Sequence, residues 1–243
     1  MRNLLFRGLI VLFMLLLISA GAYAEAPGAT APAHSPLYHP DYPPEQIIEY
    51  FEEVVLDMEY ADGTGDVSLV QKWIAPMRYR IYGFPTDEDL SILTAFFDQL
   101  NALPGFPGIC AAGEEEAENV TISFLDHEGF YAVFSDMLGG DSAFGATRFW
   151  YYTETNDIYT ANIGYRTDVG QAARNSILIE EIVNTLGVSD TVLRTDSIVY
   201  QYSDDNTALS DVDLIILSLL YDPAIECGMD AESCRAVIRE LYY

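Results

Sequence analysis

From Pro44 onward the apolar residues fall at helical spacing. Ile47, Ile48, Phe51, Val54, Val55 and Met58 recur at three- and four-residue steps behind a proline pair, which predicts a helix over 44–60. The Asp/Gly-rich stretch 62–66 breaks it. Over 69–83 the period changes to two, with Trp73, Met77, Tyr79 and Ile81 alternating around Pro76, so one or two strands are expected. Thr86 followed by Asp87, Glu88 and Asp89 marks a capped helix start, and Leu90, Leu93, Phe96, Phe97 and Leu100 carry that helix to about 102. Segment 119–125 alternates β-branched and aromatic residues as a strand, 128–138 suits a short helix, and 149–153 with 158–165 reads as a hairpin. A helix over 169–186 ends at Gly187, and an extended piece covers 197–202. Ser210 and Asp213 form a capping-box signature opening a helix to 221, and a last helix covers 231–241. Strands and helices interleaved in this way predict one α/β (α+β) domain over 41–243, with a mixed sheet packed on the helix 169–186.

The segments ahead of that domain read differently. Residues 1–24 have the form of a secretory signal, with Arg2 and Arg7 near the start, an uncharged apolar run over 9–20 and a small-x-small site at Ala22-Tyr23-Ala24. The stretch 8–24 is short for a membrane span and no second apolar stretch follows, so the expectation is export and no membrane attachment after cleavage. Residues 25–40, rich in Ala and Pro, read as a flexible linker. Charge then narrows the partners: 38 acidic side chains stand against 11 basic ones, a net charge of −27, and loss of 1–24 removes two of the arginines. Such a surface repels nucleic acid and attracts divalent cations. Export also admits disulfides. Cys227 and Cys234 flank a turn and a helix start, and a bridge between them is the expected pairing. Cys110, in the Gly/Pro-rich stretch 103–113, is left as a buried thiol, an intermolecular link or a partner of one of the other two.

The segment richest in candidate chemistry is Glu180-Glu181-x-x-Asn184-x-x-Gly187-x-x-Asp190. On a helix, positions 180 and 184 share a face with Glu181 beside them, Gly187 can take the left-handed turn, and Asp190 can return toward that face. Zincin peptidases use the same geometry as His-Glu-x-x-His, two metal ligands one turn apart with a general-base Glu between them. In the resemblance to the metzincin branch, Glu180 takes the first His place, Glu181 the base, Asn184 the second His, Gly187 the turn glycine and Asp190 the third ligand. Ser197-Ile198-Val199, the Leu209–Asp213 spacing and Leu219-Leu220-Tyr221 are similar to the end of matrixin-like domains, and 72–79 looks like their opening strand. More closely still, the order KW-x-x-P-x-R-Y, EE-x-x-x-x-LG, D-S-I, L-x-x-x-D, LYDP and CGM resembles a bacterial exported family of unknown function, domain number 2927. That resemblance implies a degenerate zincin-like fold and no established activity.

The departures from active zincins decide the expected chemistry. The chain has three His, of which His34 and His39 precede the helical pattern and only His127 lies within the domain. Zn²⁺ prefers nitrogen and sulfur donors, whereas Glu180, Asn184 and Asp190 offer oxygens, a set suited to Ca²⁺ or Mn²⁺. Without a metal, Glu180 and Glu181 read as a solvated helix end or a hydrogen-bonded pair. His127-Glu128 lacks a second His, Ser176 and Ser197 lack a partner His and a nucleophile elbow, and the aromatic run 149–152 suits hairpin packing. The functional expectation is therefore an exported, non-catalytic metzincin-like protein without cofactor that binds a peptide or protein. The alternatives are a metal-dependent peptidase with a divalent cation at Glu180, Asn184 and Asp190, or a structural surface protein.

Overall fold

The computed structural model describes residues 35–56, 68–138, 140, 142–202 and 205–242. The expected signal and the first part of the expected linker lie outside them. The strand signals resolve into one mixed sheet: β1 (Lys72–Trp73) and β2 (Met77–Gly83) around Pro76, then β3 (Ile109–Ala111), β4 (Val120–Leu125), β5 (Gly145–Tyr151) and β6 (Asp157–Arg166). Strands β3, β2, β4 and β6 lie side by side in that order, all parallel. β1 also runs parallel to β6, pairing Trp73 with Ile158. β5 alone is antiparallel, running along β6 from Gly145 opposite Tyr165 to Tyr151 opposite Ile158. Because Ile158 pairs with Trp73 on one side and Tyr151 on the other, β1 lies on the same side of β6 as β4. β5 is left as an edge whose outer side has no strand partner among the described residues.

Six helices complete the domain: α1 (Pro44–Phe51), α2 (Asp87–Asn101), α3 (His127–Phe134), α4 (Gln171–Thr185), α5 (Asp211–Leu220) and α6 (Ala231–Tyr242). The first runs on into a π-helical turn over Glu52–Leu56, so the helix expected over 44–60 changes hydrogen-bond register partway, and 57–60 lie outside the described residues. Both acidic helix starts form capping boxes, Thr86 with Asp89 and Ser210 with Asp213, each side chain accepting from the other's backbone N–H.

The helices take opposite faces of the sheet. α3 packs on one, where a Cβ at Gly164 would come within 2.3 Å of the Phe134 ring; that contact requires glycine. α4 packs on the other, with the Tyr165 hydroxyl donating to Leu178 O at 2.8 Å. α2 is fixed to α4 by the buried pair of Arg174 Nε and Asp89 Oδ1 at 2.9 Å. Trp73, Phe124, Tyr165, Leu178, Ile182 and Leu220 belong to one continuous core, each such side chain contributing about 1.5–3 kcal/mol by leaving water.

Two sequence expectations are corrected here. Residues 35–43, part of which reads as linker from composition, are held against the end of α6. The Tyr242 hydroxyl donates to Tyr42 O at 2.7 Å and accepts from His39 N at 3.1 Å, and Ser35 Oγ donates to Leu241 O. The Cys227–Cys234 bridge is not formed, and all three cysteines are free. The turn at Gly228 and the helix start at Ala231 carry Cys234 onto the fully buried face of α6, while Cys227 Sγ donates to Lys72 O at 3.6 Å. Burial pushes both thiols up to about 11, so they stay protonated near neutral pH.

Candidate functional site

α4 is buried on most of its circumference, and its sequence carries an acid into that burial. Arg174, Ile177, Leu178, Glu181, Ile182 and Thr185 are all buried, whereas Glu180 and Asn184 are partly open. The helix ends where the sequence places a glycine. Gly187 has φ +93° and accepts no side chain, because a Cβ there would lie 1.9 Å from Gln71 O. The turn then brings Asp190 back to α4, where Asn184 Nδ2 donates to Asp190 Oδ1 at 3.3 Å. Segment 189–192 is tied to the π-helical turn: Ser189 N donates to Val54 O at 2.7 Å, and Glu53 Oε1 accepts from Thr191 Oγ1 and Val192 N, both at 2.9 Å.

Beneath this turn lies a dense set of polar cross-links. Trp73 Nε1 donates to Thr185 O at 2.8 Å and the Tyr221 hydroxyl to Leu186 O at 3.1 Å, which caps the carbonyls at the end of α4. Lys72, 7% exposed, donates to Leu220 O at 2.7 Å and also to Ile225 O, so its ammonium closes the end of α5. The buried Asp213 carboxylate accepts from Ser197 Oγ at 2.6 Å, Ile198 N at 3.0 Å and Ser210 N at 2.8 Å. Ser197, considered as a nucleophile on sequence grounds, is thus a donor to Asp213.

On the opposite side of α4 a groove of about 350 Å³ runs along β5. Strand alternation turns Gly145 and Thr147 toward α4, where Thr147 Oγ1 donates to Glu181 O at 2.8 Å and a Cβ at Gly145 would lie 2.7 Å from Glu181 Oε1. Met137, Leu138 and Phe144 line the groove with β5, and Glu180, Glu181, Asn184 and Asp190 line it from α4 and the following turn. The four polar residues singled out in the sequence are therefore brought together in one groove. Glu181 is 7% exposed, and burial pushes its carboxyl up to about 8, Thr147 opposing the shift and the Asp190 charge adding to it. It is mainly the neutral acid near pH 7. Asn184 Oδ1 is buried with no hydrogen-bond partner.

The donor set does not fit zinc. His127 stacks on Tyr131 at 4.7 Å at the start of α3 and does not line the groove. Among the described residues no group of three or more His, Cys, Asp or Glu is arranged to hold a metal ion. For a hard cation the useful atom of Asn184 is Oδ1, and it is the amide nitrogen that faces Asp190. No reaction step is therefore assigned to a metal here.

The sequence reading missed the β5 half of the groove. The hairpin signal begins at Phe149, whereas the strand begins at Gly145. Gly145-Ala146-Thr147 carries no alternation of large side chains, and its signal is a glycine ahead of a β-branched residue. Lys72, the chain's one lysine, standing beside Trp73 in a strand, was the available sign of a buried cation. A family model described as a protein of unknown function (DUF2927) matches residues 44–240. No curated protein matches the chain.

Proposed function

We propose the following for this chain, which belongs to the DUF2927 family: it is an exported, non-catalytic, metzincin-like protein that holds an extended peptide or protein segment in the groove beside β5. The observation that carries the reading is the groove's construction. One wall is an antiparallel edge strand whose outer side has no strand partner among the described residues, and the other is the helix bearing Glu180, Glu181 and Asn184. An extended segment can add to such an edge through main-chain hydrogen bonds while alternate side chains enter the groove. The metzincin affiliation is supported by the sequence of features along α4: paired acids, Asn184 one turn on, a left-handed Gly187, Asp190 returning to Asn184, and a Ser197–Val199 segment anchored ahead of the next helix. Loss of catalysis is supported by the oxygen-only donors of Glu180, Asn184 and Asp190, a set unsuited to zinc. Export rests on the form of residues 1–24. Among the described residues no helix is long and apolar enough to cross a membrane.

The experiment is metal analysis of the purified protein, followed by peptide binding and peptide cleavage with and without Glu181→Gln. Peptide binding without turnover is expected. Metal-dependent cleavage that disappears in Glu181→Gln would establish the hydrolase reading instead, and an absence of both binding and cleavage would leave the structural surface protein.

A further inference from the structure

We propose that the face of the sheet on which α3 packs is a saccharide platform, taking a carboxylate-bearing polysaccharide across β5, β6 and β4 with a sugar ring on Trp150 and a carboxylate at Arg148. It lies on the opposite face of β5 from the groove and stands independently of the peptide reading.

The two faces of the sheet differ in charge and in cover. Residues 77–83, 120–125, 145–151 and 158–166 contain no Asp or Glu, in a chain that carries 38. Their four arginines, Arg78, Arg80, Arg148 and Arg166, all alternate onto the α3 face. The carboxylates that pair with them come from bordering segments: Glu118 with Arg80 at 3.1 Å, Asp136 with Arg148, and Asp168 with Arg166 at 2.6 Å. α3 covers this face around Gly164 and Ala146. The segment ahead of β4 reaches over the other end, where Arg80 Nη2 donates to Gly113 O at 3.0 Å and to Glu116 O at 2.8 Å. Between the two, Thr121 of β4 and Asn162 of β6 are partly exposed on central strands, whereas parallel strands are ordinarily covered on both faces.

Across that opening the registers line up one row of side chains: Arg80 beside Thr121, Thr121 beside Asn162, and Asn162 beside Arg148. At strand spacing the row is about 14 Å long. The side chains of Thr121 and Asn162 make no hydrogen bond among the described residues. Arg148 meets Asp136 through Nη2 and has further donors at Nε and Nη1. In the next row Trp150 stands beside Thr160, exposed, with the Arg148 guanidinium over its ring. The aromatic run that suits hairpin packing in the sequence thus turns its indole to solvent.

These groups answer a sugar better than a peptide. A sugar ring offers a C–H face to an indole and hydroxyls to amide, hydroxyl and guanidinium groups. A peptide main chain finds no edge to join here, because β4 and β6 each have a strand on both sides. The guanidinium supplies the preference for a carboxylate, with which it forms a two-point hydrogen-bonded pair. The net charge of −27 repels a polyanion at long range, so screening by salt assists its approach while the contact itself is made on a face with no acid on these strands.

The test is calorimetric titration of the full chain with hexamers of galacturonate and of mannuronate, with their methyl esters, and with hexaglutamate. At least one uronate hexamer is expected to bind saturably, about tenfold or more tightly than its methyl ester, and more tightly at about 150 mM than at about 10 mM NaCl. Trp150→Ala and Arg148→Gln are each expected to weaken that binding about tenfold, and Asp136→Asn, which removes the carboxylate competing for Arg148, to tighten it about threefold. Circular dichroism establishes that each variant is folded. A methyl ester that binds as well as its uronate would overturn the carboxylate preference and with it the proposal. Hexaglutamate binding as tightly as the uronates would overturn the saccharide in favour of an acidic peptide. Affinity unchanged in both Trp150→Ala and Arg148→Gln would overturn the placement on this face. Binding of neither uronate would overturn the proposal outright.

Discussion

The two sides of α4 are built on opposite terms. Beneath its C-terminal end buried polar groups meet partners: Lys72 meets carbonyls of the α5 end, Asp213 meets Ser197, Ile198 and Ser210, and Trp73 and Tyr221 meet the last carbonyls of the helix. Along β5 the balance is reversed, with a buried carboxyl held neutral, an amide oxygen without a donor and a strand edge without a neighbour. Saturation of this kind makes a region rigid and intolerant of change, whereas unsatisfied polar groups cost stability until something fills them. The sequence motifs that carry the resemblance divide accordingly. KW, LG, D-S-I, L-x-x-x-D, LYDP and CGM all fall in the saturated region, and only the Glu pair reaches the groove.

The strongest test of that contrast is Gly187→Ala. A left-handed φ and a backbone oxygen 1.9 Å from the new methyl together require the turn to move, so a loss of about 4 kcal/mol or failure to fold is expected in urea unfolding. Lys72→Met follows, leaving buried carbonyls of Leu220 and Ile225 without donors, with an expected loss of about 3 kcal/mol by the same measurement.

The groove side should respond with the opposite sign. Glu181 releases its proton near its ordinary value of 4.5 when unfolded and at about 8 when folded. Its contribution to stability is therefore fully present below about pH 4.5 and lost as pH rises through about 8. Thermal melts across pH 5 to 8.5 should show wild type losing on the order of 2 kcal/mol more than Glu181→Gln, the variant being the more stable protein at the alkaline end. A variant that tracks wild type at every pH would mean that the carboxyl finds compensation in the fold. Smallest of all is Cys110→Ser on exposed β3, expected within about 0.5 kcal/mol of wild type in denaturant midpoints.

What could be read from the sequence follows the same division. Helix starts with their own caps at Thr86 and Ser210, the α4 periodicity and the turn at Gly187 are local signals, and each lies within a few residues of its cause. The bringing together of Glu180, Glu181, Asn184 and Asp190 is also local, since one helix and one turn accomplish it. The facing wall is not. Gly145 and Thr147 are placed there by the antiparallel pairing with β6 and by contact with a helix some thirty residues later in the chain, and their small side chains give no periodic signal. The free thiols show the same limit: spacing suggested a bridge, while the rotation of α6 that buries Cys234 depends on the core it docks against.

The chain's two tryptophans fall one on each side of this division. Trp73 is 1% exposed with its indole N–H bonded at the end of α4, while Trp150 is 37% exposed on β5, with the Arg148 guanidinium 6.0 Å from its ring. Intrinsic fluorescence therefore carries two separable colours, a short-wavelength emission from the dry scaffold and a longer-wavelength, quencher-accessible one from the strand that borders the groove. Iodide or acrylamide can silence the second without touching the first, giving a label-free optical reading of events along β5 against an internal reference for the integrity of the fold.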